Sequence, residues 1–312
     1  MAHDRPFRFG IQLSTAPSGA EWAALARKAE DLGYSTLFLP DHFGDQLAPL
    51  PAMQAAADAT TELRVGALVF DNDFKHPVVL AKEIATVDVL SGGRVELGLG
   101  AGWMTTDYEQ SGIPQDPPAL RVSRMEESIA VLKGLFADGA LDFAGEHYTI
   151  TGLDGRPKPL QRPHPPLLVG GGGRRVLGIA AREAQIVGIN PSLRSGRIDA
   201  ETAADATAAA TDRKLAWVRE AAGARFPEIE LSCLLFAVVE TTDAAGTAEL
   251  MAGVFGIPAE EVREVPHALI GTVEEMCDLL EARRERWGLS YVVVQGDAMD
   301  TMAPVVARLA GR

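Results

Sequence analysis

FRFGIQLSTAPSGAEWAALARKAEDLGYSTLFLPDH, residues 7–42, holds one complete strand, helix and strand, and it sets the rhythm by which the rest of the chain is read. Phe7 to Leu13 is a short strand-like run. Ser18 and Glu21 follow at the spacing whose side chains satisfy the free N–H groups of a helix start. Trp22, Leu25, Ala26, Ala29 and Leu32 recur on one helical face, and Gly33 can turn left-handed after the last turn. Thr36-Leu37-Phe38-Leu39 is then a continuous apolar run too short for a helix, as expected of a parallel strand covered on both faces. It stops at Asp41-His42.

The same alternation returns along the chain. A helical stretch near 50–59 precedes a strand from Leu63 to Phe70, a helix from Pro77 to Leu90 and a strand from Val95 to Leu99. Pro77 suits a first helical turn, where its missing N–H has no intrahelical partner, and Ser91-Gly92-Gly93 ends that helix. From 104 to 165 the rhythm changes: prolines 114, 117 and 118 mark a loop, Val122, Met125, Ile129, Leu132 and Phe136 mark a helix, and 142–148 reads as a small hairpin. This stretch is expected to be an insertion around one helix. Alternation resumes with a strand at Leu167 to Val169, a helix from Arg174, a strand from Gln185 to Ile189, a long Ala-rich helix over 200–222 and a strand from Ile229 to Val239. A helical excursion over 242–264, a capping box at Thr272 and Glu275, a last strand at Tyr291 to Val294 and a closing helix through Met302 and Leu309 complete it. Strand starts near 7, 36, 63, 95, 167, 185, 229 and 291 predict a closed (β/α)8 TIM barrel, an α/β fold, as a single domain over 1–312. The insertion follows strand four and the excursion strand seven. An open doubly wound sheet usually has fewer strands and a Gly-rich fingerprint after its first strand, and Gln12 to Gly19 has none.

Composition narrows the function. With 29 Lys+Arg against 43 Asp+Glu, the formal charge of −14 disfavours nucleic acid or an anionic membrane as partner. Cys233 and Cys277 lie far apart, without metal spacing, so neither a disulfide framework nor a metal site is expected. Residues 1–20 lack an apolar core of signal-peptide length, and the longest strongly apolar stretch, Leu231 to Val239, is about half a membrane span. The expectation is a cytoplasmic protein with a small-molecule partner.

In such a barrel the C-terminal strand ends converge on one face. There stand Asp41 and His42, Asp71 and Asn72, Gly100-Ala101-Gly102-Trp103, and Gly170-Gly171-Gly172-Gly173. Four glycines between a strand and a helix offer unobstructed N–H groups to an anion at a positive helix end. They suit equally a tight turn needing positive φ. Asp41 and His42 offer a carboxylate and an imidazole for proton handling, although an Asp at such a junction also serves as a cap.

Several segments in order resemble the bacterial luciferase-like monooxygenase superfamily: Leu39-Pro40-Asp41-His42-Phe43, Lys75-His76-Pro77, Thr86 to Leu90 running into Ser91-Gly92-Gly93-Arg94, Gly98-Leu99-Gly100-Ala101-Gly102-Trp103, Asp107-Tyr108 with Gly112-Ile113-Pro114, and Pro165 to Gly171. The likeness runs from the first strand to the final helix and implies a TIM barrel with an insertion. The Asp-His pair resembles the branch that uses coenzyme F420, a deazaflavin hydride carrier, with FMN and molecular oxygen as the alternative chemistry and a non-catalytic flavin or deazaflavin binder as a third. By that resemblance His42 is catalytic and Asp41 meets the cofactor, while Leu68 and Val69 form a bulge behind its ring, in relatives often with a non-prolyl cis peptide. The same resemblance puts Asp71, Ala101, Gly102 and Thr106 in contact with the cofactor and has Gly171, Gly172, Gly173 and Arg174 hold its phosphate. Sugar-phosphate dehydrogenases of this branch carry an acidic residue where this chain has Trp103, which argues against a sugar phosphate. Phe43, Phe70 and Trp103 point instead to an apolar substrate pocket, and suit equally the packing of a barrel mouth. Lys75, Arg174, Arg175, Arg194 and Arg197 are candidates to offset the negative charge near the cofactor's phosphate and acidic tail. The family analogy, with the apolar helix stretches Ala55 to Ala57 and Val78 to Leu80, implies a homodimer.

Overall fold

The computed structural model describes residues 5–312; His3 and Asp4 lie outside the described residues. Eight strands form the barrel: β1 (Arg8–Gln12), β2 (Thr36–Leu39), β3 (Arg64–Ala67), β4 (Val95–Gly100), β5 (Leu167–Gly171), β6 (Ile186–Ile189), β7 (Glu230–Leu235) and β8 (Leu289–Gln295). Each pairs in parallel with the next, and β8 pairs with β1, so the sheet closes. The parallel pairing follows from the helices that carry the chain back outside. In the first unit, α1 (Gly19–Asp31) is capped by Ser18, whose hydroxyl accepts the Glu21 N–H, and buries Trp22, Ala26 and Ala29; α2 (Pro49–Ala59) and α3 (Pro77–Leu90) follow β2 and β3.

Side chains alternate between two apolar layers. Leu37, Leu39, Val169, Val187, Leu235 and Val292 face outward to the helices, while Phe38, Leu168, Ile186, Tyr291 and Val293 fill the lumen with Leu68, Val69 and Leu234 packed on them. Phe38 reaches the centre because its neighbours yield: a Cβ on Gly66 would stand 2.9 Å from its ring, and one on Gly10 3.1 Å. The N-terminal end is sealed by charge. Glu96, 1% exposed, accepts from Arg8 Nη1 at 2.5 Å, Arg64 Nε at 2.8 Å and the Tyr291 hydroxyl at 3.1 Å. Burial alone would raise this carboxyl, but the two guanidiniums override it and hold it below the usual range. Arg8 also bonds Glu230 at 2.7 and 2.8 Å. An open cleft of about 410 Å³ at this end is lined by these same ion-paired groups, so it belongs to the scaffold and not to the chemistry.

Four elements depart from the sequence reading. The predicted 63–70 strand breaks at a cis Leu68-Val69 bond, where the family resemblance places its bulge, and resumes as Phe70–Asp71 beside β4. The insertion holds two helices, α4 (Thr105–Ser111) and α5 (Pro118–Phe136), besides an antiparallel hairpin of 141–144 and 149–153. The 200–222 helix is two, Ala200–Ala204 and Ala208–Ala222, because Thr207 caps a new start by accepting the Ala210 N–H. The 229–239 strand leaves the barrel at Phe236; Ala237–Glu240 pairs instead with Ala268–Gly271, a strand absent from the sequence reading. Among the described residues no helix is long and apolar enough to cross a membrane.

Candidate functional site

The C-terminal mouth gathers the chemistry. His42, three residues past β2 and half-buried, places Nδ1 2.6 Å from Oδ2 of Asp107. Asp107 is 5% exposed, and its other oxygen accepts the Phe43 N–H at 3.2 Å. Against an ionised carboxylate Nδ1 is the donor, which leaves Nε2 as the ring nitrogen directed to a ligand. The imidazole is also walled by Trp103, whose ring meets it edge-on at 5.6 Å. Asp107 lies in the first turn of α4, an element absent from the sequence reading, and meets His42 across 65 residues of chain.

Asp41 turns sideways. Its Oδ2 accepts the Asp71 N–H at 3.1 Å, joining the ends of β2 and β3, and burial raises its carboxyl. Asp71 is more strongly affected: burial pushes it up to about 7 despite the Asp73 N–H it accepts and the Tyr108 hydroxyl at 3.2 Å. Tyr108 reaches Asp71 only because residue 102 is glycine at φ +72°; a Cβ there would fall 1.9 Å from the hydroxyl and 2.5 Å from Asp71. Arg121 ties the same hydroxyl, at 3.3 Å, and the Ala101 carbonyl to α5. Asp41, Asp71 and Ala101 are thus joined through Tyr108 and Arg121 into one bonded unit, for which Gly102 leaves the room. Thr106 sits exposed on α4.

The 68–69 bulge explains two placements. Leu68 and Val69 both pack into the lumen cluster, which shifts the alternation by one residue. Phe70 therefore faces the outer shell at 1% exposure, and its expected place in the substrate pocket is corrected. Phe43 remains at the rim, half-exposed, against Phe74 at 4.4 Å. On the lumen face of β4, Gly98 and Gly100 leave the room that Val69 fills; a Cβ on Gly100 would meet Val69 Cγ2 at 2.5 Å. Gln12 fastens the bulge by donating to the Leu68 carbonyl at 2.8 Å.

The glycine run behaves differently from a positive-φ turn: none of residues 170–173 has φ > 0. Gly171 and Gly172 are required by close approach, the first to Val176 and the second to the backbone of Pro191 and Ser192 at 2.3–2.5 Å. Gly173 is the open one. It is the N-cap of α6 (Arg174–Glu183), supplies no side-chain cap, and nothing stands within 4 Å of where its Cβ would be. An uncapped helix start with free space before it fits a phosphate. The arginines beside it are committed elsewhere: Arg174 pairs with Glu220 at 2.9 Å and Arg175 donates to the Ala119 carbonyl at 2.8 Å, while Lys75 pairs with Glu83 at 3.0 Å. What Arg174 offers an anion there is its backbone N–H. Among the described residues no three His, Cys, Asp or Glu side chains stand together as a metal site.

The sequence profile of the luciferase-like monooxygenase family matches residues 5–302, and the chain belongs to that family. An FMNH2-dependent dimethylsulfone monooxygenase of Pseudomonas putida is 35% identical over 124 residues, covering 40% of this chain and 34% of that one. An F420-dependent glucose-6-phosphate dehydrogenase of Amycolatopsis mediterranei is 30% identical over 155 residues, covering 47% and 46%. The chain spans less than two thirds of the length of the curated relatives it matches first. Among solved structures, the coenzyme F420-dependent tetrahydromethanopterin reductase of Methanopyrus kandleri superposes with a TM-score of 0.77 over 98% of this chain and 99% of that one, at 18% identity, which speaks for the fold.

Proposed function

We propose that this luciferase-like family member is an oxidoreductase that moves hydride between coenzyme F420 and a small, largely apolar organic substrate. The observation that carries the reading is the His42–Asp107 pair at 2.6 Å, walled by Trp103, at the mouth that also holds the uncapped α6 start. When bound, the deazaflavin supplies the hydride chemistry. The chain's part is to bind, orient and handle the proton. Backbone N–H groups at Gly173 and Arg174 would hold the phosphate, and the Gln12-fastened bulge of Leu68 and Val69 would back the ring. Asp107 fixes the imidazole so that Nε2 gives or takes the proton that accompanies hydride transfer. Trp103 walls the imidazole and, standing where an acid would serve a sugar phosphate, favours an apolar substrate.

A second reading, an FMN-dependent monooxygenase, draws on the 35% identity to the dimethylsulfone enzyme and on a phosphate site that suits FMN as well. Side-by-side fluorescence titration of the purified protein with F420 and FMN separates the two, with oxygen uptake on reduced FMN as the functional arm. Tight FMN binding with oxygen consumption, and none with F420, would overturn the first reading. The assembly we propose is a homodimer, because α3 (Pro77–Leu90) leaves Val79 and Leu90 48% and 62% exposed while Leu80 turns to the core.

A further inference from the structure

Opposite the carboxylates, the mouth is built from neutral groups. Leu168 and Ile186 point into the lumen, so Gly170 on β5 and Gly188 on β6 share that direction one layer higher, and Asn190 follows Gly188 above it. Contacts confirm the direction of Asn190: its Nδ2 lies 3.0 Å from where a Cβ of Gly170 would be and 3.6 Å from that of Gly188. The amide lies across a notch that two glycines leave open. Tyr291 and Val293 set the same parity on β8, which brings Gln295 to the mouth, and Leu234 of β7 stands between the two amides. The backbone N–H of Asn190 is spent on the Gly171 carbonyl at 3.1 Å, but neither side-chain amide bonds any group among the described residues, and both residues are half-buried.

Two such amides in a lumen packed this tightly have hydrogen-bonding capacity directed only at what enters it. Strand order sets β6 opposite β2, so Asn190 faces the His42 side across the mouth. No charged side chain lies on this arc among the lumen-facing residues of β5 to β8 at that level, whereas Asp41, Asp71 and Asp107 all belong to the β2–β4 side. We infer that Asn190 and Gln295, flanking Leu234, are the specificity residues of the substrate half of the site, and that they select an uncharged molecule with an apolar body and a carbonyl, amide or hydroxyl group. A carboxylate or phosphate finds no cation among these lumen-facing residues and meets a protein of strong negative charge, while the exposed Arg194 and Arg197 stand beyond Asn190 on the loop that follows it. The inference rests on the proposed oxidoreductase reading for the existence of a substrate but not for the choice of cofactor.

The test uses matched probes on the purified full chain: benzamide, acetophenone and 2-cyclohexenone against benzoate, phenyl phosphate and cyclohexanecarboxylate, measured by saturation-transfer NMR and by quenching of tryptophan fluorescence. Neutral probes should bind at least tenfold more tightly than their anionic partners. Asn190→Leu and Gln295→Leu should each weaken them by roughly tenfold, the usual loss for one hydrogen bond, with circular dichroism and cofactor titration unchanged. Asn190→Lys should admit the anionic probes. Equal binding of both classes, binding of neither, or neutral binding unchanged in the double leucine variant would overturn the inference. Failure of F420 and FMN alike to bind would instead overturn the proposed function and leave the probe result standing by itself.

Discussion

Gly173→Asp should raise the stability of the free protein while destroying its affinity for cofactor. Residue 173 has φ −91° and ψ 147°, open to any residue, and space where the side chain would go. An Asp N-cap accepts an N–H of the first turn and faces the positive end of α6. Loss of glycine's unfolded-state freedom adds to that. The sum is about 1 kcal/mol, or a few degrees or less in Tm. The ligand experiences the reverse. A phosphate about 5 Å from the new carboxylate, at an effective dielectric near 20, meets roughly 3 kcal/mol of repulsion per charge, so a loss of at least ~100-fold is expected. Gly172→Asp makes the contrast, since its Cβ would strike the Pro191–Ser192 backbone and destabilise the chain by about 1–3 kcal/mol. Thermal denaturation without ligand and fluorescence titration with each cofactor measure both effects. Unchanged affinity in Gly173→Asp would refute the phosphate placement, and a fall in its Tm would refute the reading of the helix start.

His42→Ala should keep cofactor affinity within a few-fold yet lower turnover by roughly 100-fold; Asp107→Asn should lower turnover by about tenfold or more through loss of ring orientation, and full turnover in both would place the chemistry elsewhere. Asp71 is raised to about 7 from an unfolded value of 3.8, so its contribution is present below about pH 4 and lost as pH rises towards 7. Asp71→Asn should therefore flatten that part of the stability profile, by up to about 4 kcal/mol, as read by urea denaturation at pH 4.5 and pH 8; an unaltered difference between the two would contradict it. Chelators should leave activity and Tm as they are, and a stoichiometric metal lost together with activity would argue otherwise. Light scattering at micromolar concentration should give twice the chain mass, and Val79→Glu with Leu90→Glu should halve it; a wild-type monomer would end that expectation.

The barrel was legible because each β/α unit carries its own punctuation: Ser18 and Thr272 at helix starts, Pro77 at a first turn, glycines at the ends. Asp41 and His42 were found because a strand end is a place that sequence can mark. What was not legible depends on alternation and on distant segments meeting. The family resemblance marks the 68–69 bulge, but no apolar pattern announces that its extra inward residue turns Phe70 away. The partnership of Asp107 with His42 needed the start of α4, hidden among loop-like residues. Asn190 and Gln295 were within reach, since counting by twos from Ile186 and Tyr291 leads to both; their neutral side chains simply gave no chemical reason to count.

The Glu96 seal gives the barrel a floor as well as a frame. With two guanidiniums, a phenol and a carboxylate interlocked beneath Phe38, the lumen is a vessel with one opening. A ring seated against Leu68 and Val69 and a molecule bonded to Asn190 and Gln295 would share that opening, so in steady-state kinetics each should change the other's apparent affinity.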